Sequence, residues 1–219
     1  MSTQADSQKG KQRSTRKQND SPEVRLSKLL TYILRHGATK EGLQLRDDGS
    51  ISIKDLKTHS RLQSTSFEQI KHIVDTNDKK RFVLFEDTNP KGAKEWYVRA
   101  TQGHSLAIKR SPLVKLTAET LPPCIVHGTT SGKIPLIKQT GLSRMRRTHI
   151  HFASGLPGDK SVISGMRASS DAFIWIDGPK AMEDGIEFYL SENGVILSEG
   201  LGDSGTIPAK YFKEISLKD

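Results

Sequence analysis

Cysteine is almost absent from this sequence, with Cys124 the only one in 219 residues. A lone cysteine excludes an internal disulfide and a cysteine-based structural zinc site within one chain, and makes a reducing intracellular setting, cytoplasmic and/or nuclear, the simplest expectation. Flanked by Pro122, Pro123, Ile125 and Val126, its thiol reads as a buried structural group and not as a nucleophile. Long apolar runs are missing too: none approaches the roughly 18–20 residues that a membrane-crossing helix needs, and Met1 to Asp20 lack the apolar centre of a secretory signal. No membrane partner is expected. Neither a glycine-rich loop ending in Gly-Lys-Ser/Thr nor a Gly-x-Gly-x-x-Gly fingerprint occurs, which argues against a P-loop kinase and a Rossmann dehydrogenase. Acidic residues such as Asp177, Glu183, Asp184 and Glu187 are present, but nothing in their spacing opposes two of them as a catalytic pair. Acid is in deficit overall, with 25 Asp and Glu against 34 Lys and Arg and a formal charge of +9. Such a balance favours polyanionic partners without fixing specificity or fold.

What is present divides the chain. Residues 1–20 are polar and basic, with Lys9, Lys11, Arg13, Arg16 and Lys17 close together, and read as a disordered tail. It serves RNA affinity, nuclear targeting or neither; composition leaves all three open. Folding begins at Ser21-Pro22, an N-cap followed by proline in the first turn. Leu26, Leu29, Leu30, Ile33 and Leu34 then recur at helical spacing, and Gly37 is the expected terminator. Asp48-Gly49-Ser50 reads as a turn and Ile53 and Leu56 as a short second helix. Ser64 is the expected cap of a third, striped by Phe67, Ile70, Ile73 and Val74. Arg81 to Glu86 and Glu95 to Ala100 read as strands around the turn-like Asp87-Thr88-Asn89-Pro90-Lys91-Gly92. Helices followed by a hairpin fit a small winged-helix lobe over residues 21–110, able to hold RNA through shape and phosphate. Residues 111–121, running from Ser111-Pro112 toward Pro122-Pro123, form a linker. Beyond it, residues 122–219 carry short strand-like runs at Ile125-Val126, His149 to Ala153, Ala172 to Asp177 and Glu187 to Leu197, the pattern of a compact mixed or mainly β domain. The expected class is α+β.

Four segments could carry chemistry. Arg35 and His36, in Leu34-Arg35-His36-Gly37, follow an amphipathic helix. An arginine can grip phosphate through two parallel donors and a histidine can donate or exchange a proton near neutrality, although a charge interaction with the helix end accounts for the pair equally well. Arg99-Ala100-Thr101-Gln102-Gly103-His104-Ser105 gathers polar side chains around a glycine turn, able to wrap a phosphate or ribose or to be an ordinary loop. In the second lobe stand His127-Gly128-Thr129, Gly141-Leu142 and His149-Ile150-His151. Strand periodicity places His149 and His151 on one face. Asp159 is available, but no third ligand at suitable spacing stands out, so no metal is expected. Arg167, in Ser164-Gly165-Met166-Arg167, lies among small residues that would let a ligand approach the backbone.

Taken in this order, with Thr148 to His151 and Asn193-Gly194-Val195-Ile196-Leu197 added, these segments resemble the tRNA 2'-phosphotransferase family over most of Arg25 to Glu214. The resemblance implies a winged-helix-like RNA lobe followed by an NAD-binding lobe related to ADP-ribosyltransferases. It also implies removal of the internal 2'-phosphate that ligation leaves at a tRNA splice junction. The 2'-phosphate would attack the nicotinamide-bearing ribose carbon of NAD, expelling nicotinamide; the 2''-hydroxyl of that ribose would then attack phosphorus, releasing 2'-OH RNA and ADP-ribose 1'',2''-cyclic phosphate. Carried over by motif, Arg35, His36, Arg99 and Arg167 are the expected catalytic residues. His127, Gly128, Thr129, Gly141 and His151 are the expected contacts to NAD, which is consumed, and no metal takes part. A monomer acting on 2'-phosphorylated tRNA or other RNA is expected. Two alternatives stand beside this: NAD-dependent ADP-ribosylation of phosphorylated RNA ends, and a non-catalytic RNA-binding module.

Overall fold

A computed structural model describes residues 20–159, 162 and 164–218. The tail read over residues 1–20 lies outside it except for Asp20, whose carboxylate pairs with Lys28 at 2.6 Å. Helix α1, Pro22–Tyr32, is capped by the Ser21 hydroxyl, which accepts from the Val24 amide at 3.2 Å, and Pro22 occupies the first turn. Its buried face of Leu29 and Leu30 is continued by Ile33 and Leu34, all four packed in one core. The helical run ends at Gly37, as the sequence indicated, but not as one α-helix. The α-helix stops at Tyr32 and widens into a π turn, Ile33–Gly37. Gly37 lies under the Tyr32 ring, where a Cβ would sit 2.4 Å from a ring carbon, so its role is close approach. The left-handed residue that closes this region is Gly42, at φ 73° after the short helix Thr39–Glu41. A π turn inserts one residue and so rotates the side chains that follow; here it leaves Arg35 buried.

Strand β1 (Ile51–Ser52) leads into α2 (Ile53–Leu56), and α3 spans Phe67–Asp75. The cap of α3 is Ser66 and not Ser64. A capping box needs a reciprocating side chain three residues on, which Gln69 supplies to Ser66 while Phe67 could not supply it to Ser64. Strands β2 (Phe82–Thr88) and β3 (Lys94–Ala100) form an antiparallel hairpin that runs further toward its turn than the sequence pattern indicated, and β1 pairs on the other side of β3. Ile70, Ile73, Phe82 and Val98 join Leu29, Leu30, Ile33 and Leu34 in a single apolar core.

The second core is built on short antiparallel strands. Strands β4 (Val114–Lys115), β7 (Ile150–Phe152), β9 (Tyr189–Leu190) and β10 (Ile196–Ser198) form a sheet in the order β4-β9-β10-β7. Strands β5 (Val126–Thr129), β8 (Ala172–Ile176) and β12 (Phe212–Leu217) form another, in the order β12-β8-β5. The two are stitched where Val126 and Ala153 exchange both backbone hydrogen bonds, at 3.0 and 2.9 Å. Central strand β8 is apolar throughout because it feeds two clusters. Ile174 and Ile176 pack with Phe152, Phe188 and Tyr211, while Phe173 and Trp175 pack with Val126 and the half-buried Cys124. Strand β4 and the buried Leu116 fall within residues 111–121, so that segment contributes an edge strand and a core residue. Helix α4 (Ile134–Thr140), strand β6 (Leu142–Ser143), helix α5 (Gly178–Glu183) and strand β11 (Thr206–Ile207) complete the mixed α+β fold. No described helix is long and apolar enough to cross a membrane.

Candidate active site

The loop that leaves β3, residues 101–105, touches both cores and organises the site. Thr101, Gln102 and His104 are buried, and Gly103 adopts φ 88°. A Cβ on Gly103 would lie 3.2 Å from Nη1 of Arg35, so the absence of a side chain lets the guanidinium lie against the loop backbone. The amide of Ser105 donates to the Arg35 carbonyl at 2.9 Å, locking the loop to the π turn. Arg35 itself is 8% exposed, and its Nε and Nη2 have no hydrogen-bond partner. Nε–H and Nη2–H point to the same side of a guanidinium, the pair that accepts two oxygens of one anion. Burial, then Arg81 and Arg147, lowers its pKa to about 10. A buried cation with other cations for neighbours and a free two-donor edge has the chemistry to accept an anion.

Arg99, on β3, is also buried, its guanidinium 4.8 Å above the Phe85 ring. Nη2 donates to Glu192 Oε1 at 2.5 Å, while Nε has no partner. His36 shares a hydrogen bond of 2.9 Å between Nδ1 and the Ser105 hydroxyl. Burial, then Arg35 and Arg147, lowers its pKa, so the ring is neutral at pH 7.

On the facing elements, His127 of β5 donates from Nδ1 to the His151 carbonyl at 2.8 Å, since a carbonyl can only accept; Nε2 is left as the lone-pair nitrogen. Burial is the main cause of its lowered pKa, so it too stays neutral. The neighbouring Gly128 is crossed by the 164–170 segment: a Cβ there would meet Met166 Cγ at 2.2 Å and Ser170 Oγ at 2.8 Å. Gly165, at φ 101°, allows the same crossing over β7, where a Cβ would come within 2.8 Å of the Phe152 carbonyl oxygen. This crossing carries Arg167, which is exposed and close enough for its charge to depress both Arg147, after burial, and His127. Thr129 is buried and its carbonyl accepts from the Asp171 amide at 3.0 Å. Gly141 closes α4 at φ 81°, where a Cβ would lie 2.7 Å from the Ile207 carbonyl oxygen; helix termination and close packing account for it.

His151 bridges the halves. Nε2 lies 2.8 Å from Gln102 Oε1, and Nδ1 lies 3.5 Å from Nη1 of Arg147. A guanidinium only donates, so Nδ1 accepts and Nε2–H is given to Gln102. Both ring nitrogens thus face protein partners. His149 turns elsewhere, bonding Thr148 Oγ1 through Nδ1 at 2.8 Å and approaching Glu199 at 3.6 Å, so the two histidines share no partner. Among the described residues, no group of three or more His, Cys, Asp or Glu side chains could hold a metal ion. Sequence reasoning passed over Arg147, Arg81 and Glu192. The crowding of Arg144, Arg146 and Arg147 just before His149 was a visible signal for the first; the others carried none.

Burial, the largest cause for each, drives His104 down to about 4 and His151 down to about 3, from 6.5. Between those values and 6.5 the unfolded chain binds protons that the folded chain refuses, so stability is lost as pH falls through that window. The unfolding midpoint is expected to drop by roughly 5–15 °C between about pH 7 and pH 4. Thermal melts across buffers check this. In His151→Gln the slope should be shallower; an unchanged slope would count against the assignment.

The model of the family described as RNA 2'-phosphotransferase, Tpt1 / KptA family, matches residues 21–200. The tRNA 2'-phosphotransferase 1 of Mus musculus is 45% identical over 203 residues, covering 92% of this chain and 80% of that protein. The tRNA 2'-phosphotransferase of Saccharomyces cerevisiae is 37% identical over 210 residues, covering 92% and 86%. A longer relative from Schizosaccharomyces pombe is 43% identical over 196 residues, and the chain spans only 52% of its length.

Proposed function

Because this chain belongs to the RNA 2'-phosphotransferase, Tpt1 / KptA family, we propose that it moves the internal 2'-phosphate of ligated tRNA onto NAD. The products would be 2'-OH RNA, nicotinamide and ADP-ribose 1'',2''-cyclic phosphate. In this reading residues 21–110 form the winged-helix-like RNA lobe and residues 122–219 the ADP-ribosyltransferase-like NAD lobe, joined through 111–121. The observation that carries it is Arg35: a buried guanidinium with a free Nε/Nη2 edge and no carboxylate bonded to it, beside the junction of the two cores.

The residues present fit NAD. Arg147 and Arg167 concentrate positive charge suited to a diphosphate, and His127 offers Nε2 as an acceptor for a ribose hydroxyl. Gly128 and Gly165 bring the Met166–Arg167 segment down onto β5 and β7. When bound, NAD supplies an electrophilic ribose carbon, a leaving nicotinamide and a ribose hydroxyl that can take phosphorus. Arg35 and Arg99 bind the 2'-phosphate oxygens, orient them and stabilise charge that shifts during transfer. Fixed, buried guanidiniums do this without the reorganisation that water would need. His36 works from a neutral ring, and Ser105 selects its role. If the hydroxyl donates to Nδ1, Nε2 carries a proton and donates to phosphate; if it accepts, Nε2 is a base. His151 acts through others, holding Arg147 and Gln102 in register.

Incubation of the purified protein with NAD and an oligoribonucleotide bearing one internal 2'-phosphate tests the proposal. Nicotinamide, 2'-OH RNA and the cyclic ADP-ribose phosphate should appear in equal amounts. Inorganic phosphate as the phosphorus product would sink the transfer, and ADP-ribosylated RNA that persists would restrict the activity to ADP-ribosylation. Salt-sensitive RNA binding with no nicotinamide release would leave only an RNA-binding module.

A further inference from the structure

The two buried arginines assigned to phosphate differ in one respect. Arg35 has no carboxylate bonded to it, whereas Arg99 is held by Glu192. We propose that Glu192 is a displaceable counter-ion that occupies Arg99 until the 2'-phosphate takes its place, and so sets how strong an anion must be to enter. The inference rests on the phosphate-binding role of Arg99 proposed above and adds to it a residue that determines specificity.

The geometry of the ion pair supports exchange. Glu192 uses one oxygen on Nη2 and leaves Nε, on the same edge, without a partner. An anion with two suitably spaced oxygens would satisfy both donors, which this carboxylate does not. The Glu192 side chain is 34% exposed, while that of Arg99 is 10% exposed. The carboxylate can therefore rotate into water at little cost, but Arg99 cannot follow it. The backbone under Glu192 stays in place. Asn193 Nδ2 donates to the Lys79 carbonyl at 2.9 Å, and the Ser191 hydroxyl donates to the Val195 carbonyl at 2.9 Å and accepts from the Val195 amide at 3.0 Å. Exchange then needs one side-chain rotation on a fixed turn.

Competition of this kind discriminates by charge. A backbone phosphodiester carries one negative charge, the same as Glu192, and gains little by replacing it. A 2'-phosphate monoester carries between one and two charges at pH 7, its second ionisation lying near about 6. It also presents three terminal oxygens. Glu192 would therefore weaken both ligands on Arg99 by the same displacement cost, which leaves the weaker-binding diesters largely excluded while the monoester still binds.

The test is Glu192→Gln, which removes the charge and keeps an oxygen acceptor for Nη2, alongside Glu192→Ala. With a defined 2'-phosphorylated oligoribonucleotide and saturating NAD, kcat/KM should rise by about three- to tenfold, the range for releasing a partly exposed ion pair, through a lower KM. The same oligonucleotide without its 2'-phosphate should become a stronger competitive inhibitor, by a similar factor. In an Arg99→Ala background the substitutions should have no such effect. A fall in kcat/KM would make Glu192 a positioning residue for Arg99 and overturn the proposal, as would equal values. Fluorescence anisotropy with the two oligonucleotides, without NAD, reads the exchange independently of turnover. Wild-type protein that discriminates between them yet releases no nicotinamide would remove the transferase reading alone; tighter binding by Glu192→Gln would still support the exchange, and unchanged binding would overturn it.

Discussion

Arg35→Met should lower turnover by about a thousandfold or more while leaving the protein at least as stable as before. Removing a single preorganised donor to developing charge typically costs about 10²–10³ in rate, and this substitution removes two donors and a full charge. Stability should move the other way because Arg35 is held in an unfavourable state. Its pKa is lowered to about 10, chiefly by burial. Below about pH 10 the folded protein therefore carries a charge that the unfolded chain holds more cheaply, at a cost on the order of 3 kcal/mol. Methionine fills similar space without it, and replacing buried charge by apolar groups is often neutral or stabilising. The expected melting temperature is unchanged or a few degrees higher at pH 7. Calorimetry beside single-turnover kinetics decides: equal losses of activity and stability would mean that Arg35 is structural. Arg35→Lys should fail almost as badly, since an ammonium has no planar two-donor edge.

Arg99→Ala should also lower turnover, by about 10²–10³-fold, but with a different stability signature. Here the guanidinium packs on Phe85 and pairs with Glu192, so its loss removes favourable contacts. A destabilisation of about 1–2 kcal/mol, or roughly 2–8 °C, is expected. Adding Glu192→Ala should recover part of the stability and none of the turnover, because the carboxylate no longer faces the site unpaired. Recovery of turnover in the double variant would show that Glu192, and not the missing guanidinium, had blocked the reaction. The opposite stability effects of these two arginine substitutions follow from what surrounds each guanidinium: a carboxylate and an aromatic ring beside Arg99, and other cations around Arg35.

Much of this was legible without coordinates. Ser21-Pro22 marked the first helix, leucines and isoleucines at helical spacing marked its buried face, and two strand-like runs around a turn-like segment marked the hairpin. Gly37 does end the helical run, but it also relieves contact with the Tyr32 ring, which no spacing rule encodes. Local errors have local causes. Ser64 was taken for a cap two residues early, although the reciprocal pair Ser66 and Gln69 was there to be read. Arg35, His36, Arg99 and Arg167 were singled out as residue types suited to phosphate, and motif order across the chain pointed to the family. The basic run before His149 was a visible signal, but it did not single out Arg147 from Arg144 and Arg146, since which of the three is buried depends on contacts far apart in the chain.

The sequence by itself determined the class of the fold and the family, since those follow from periodicity, residue type and motif order. Only the tertiary structure decided which charges are buried, which donors are free and which are already taken. Those properties depend on pairs far apart in the chain: Gly103 lying against Arg35, His151 between Gln102 and Arg147, and Glu192 on Arg99. Burial removes the water that would otherwise make every arginine equivalent, and contacts across the chain then decide what each one can bind.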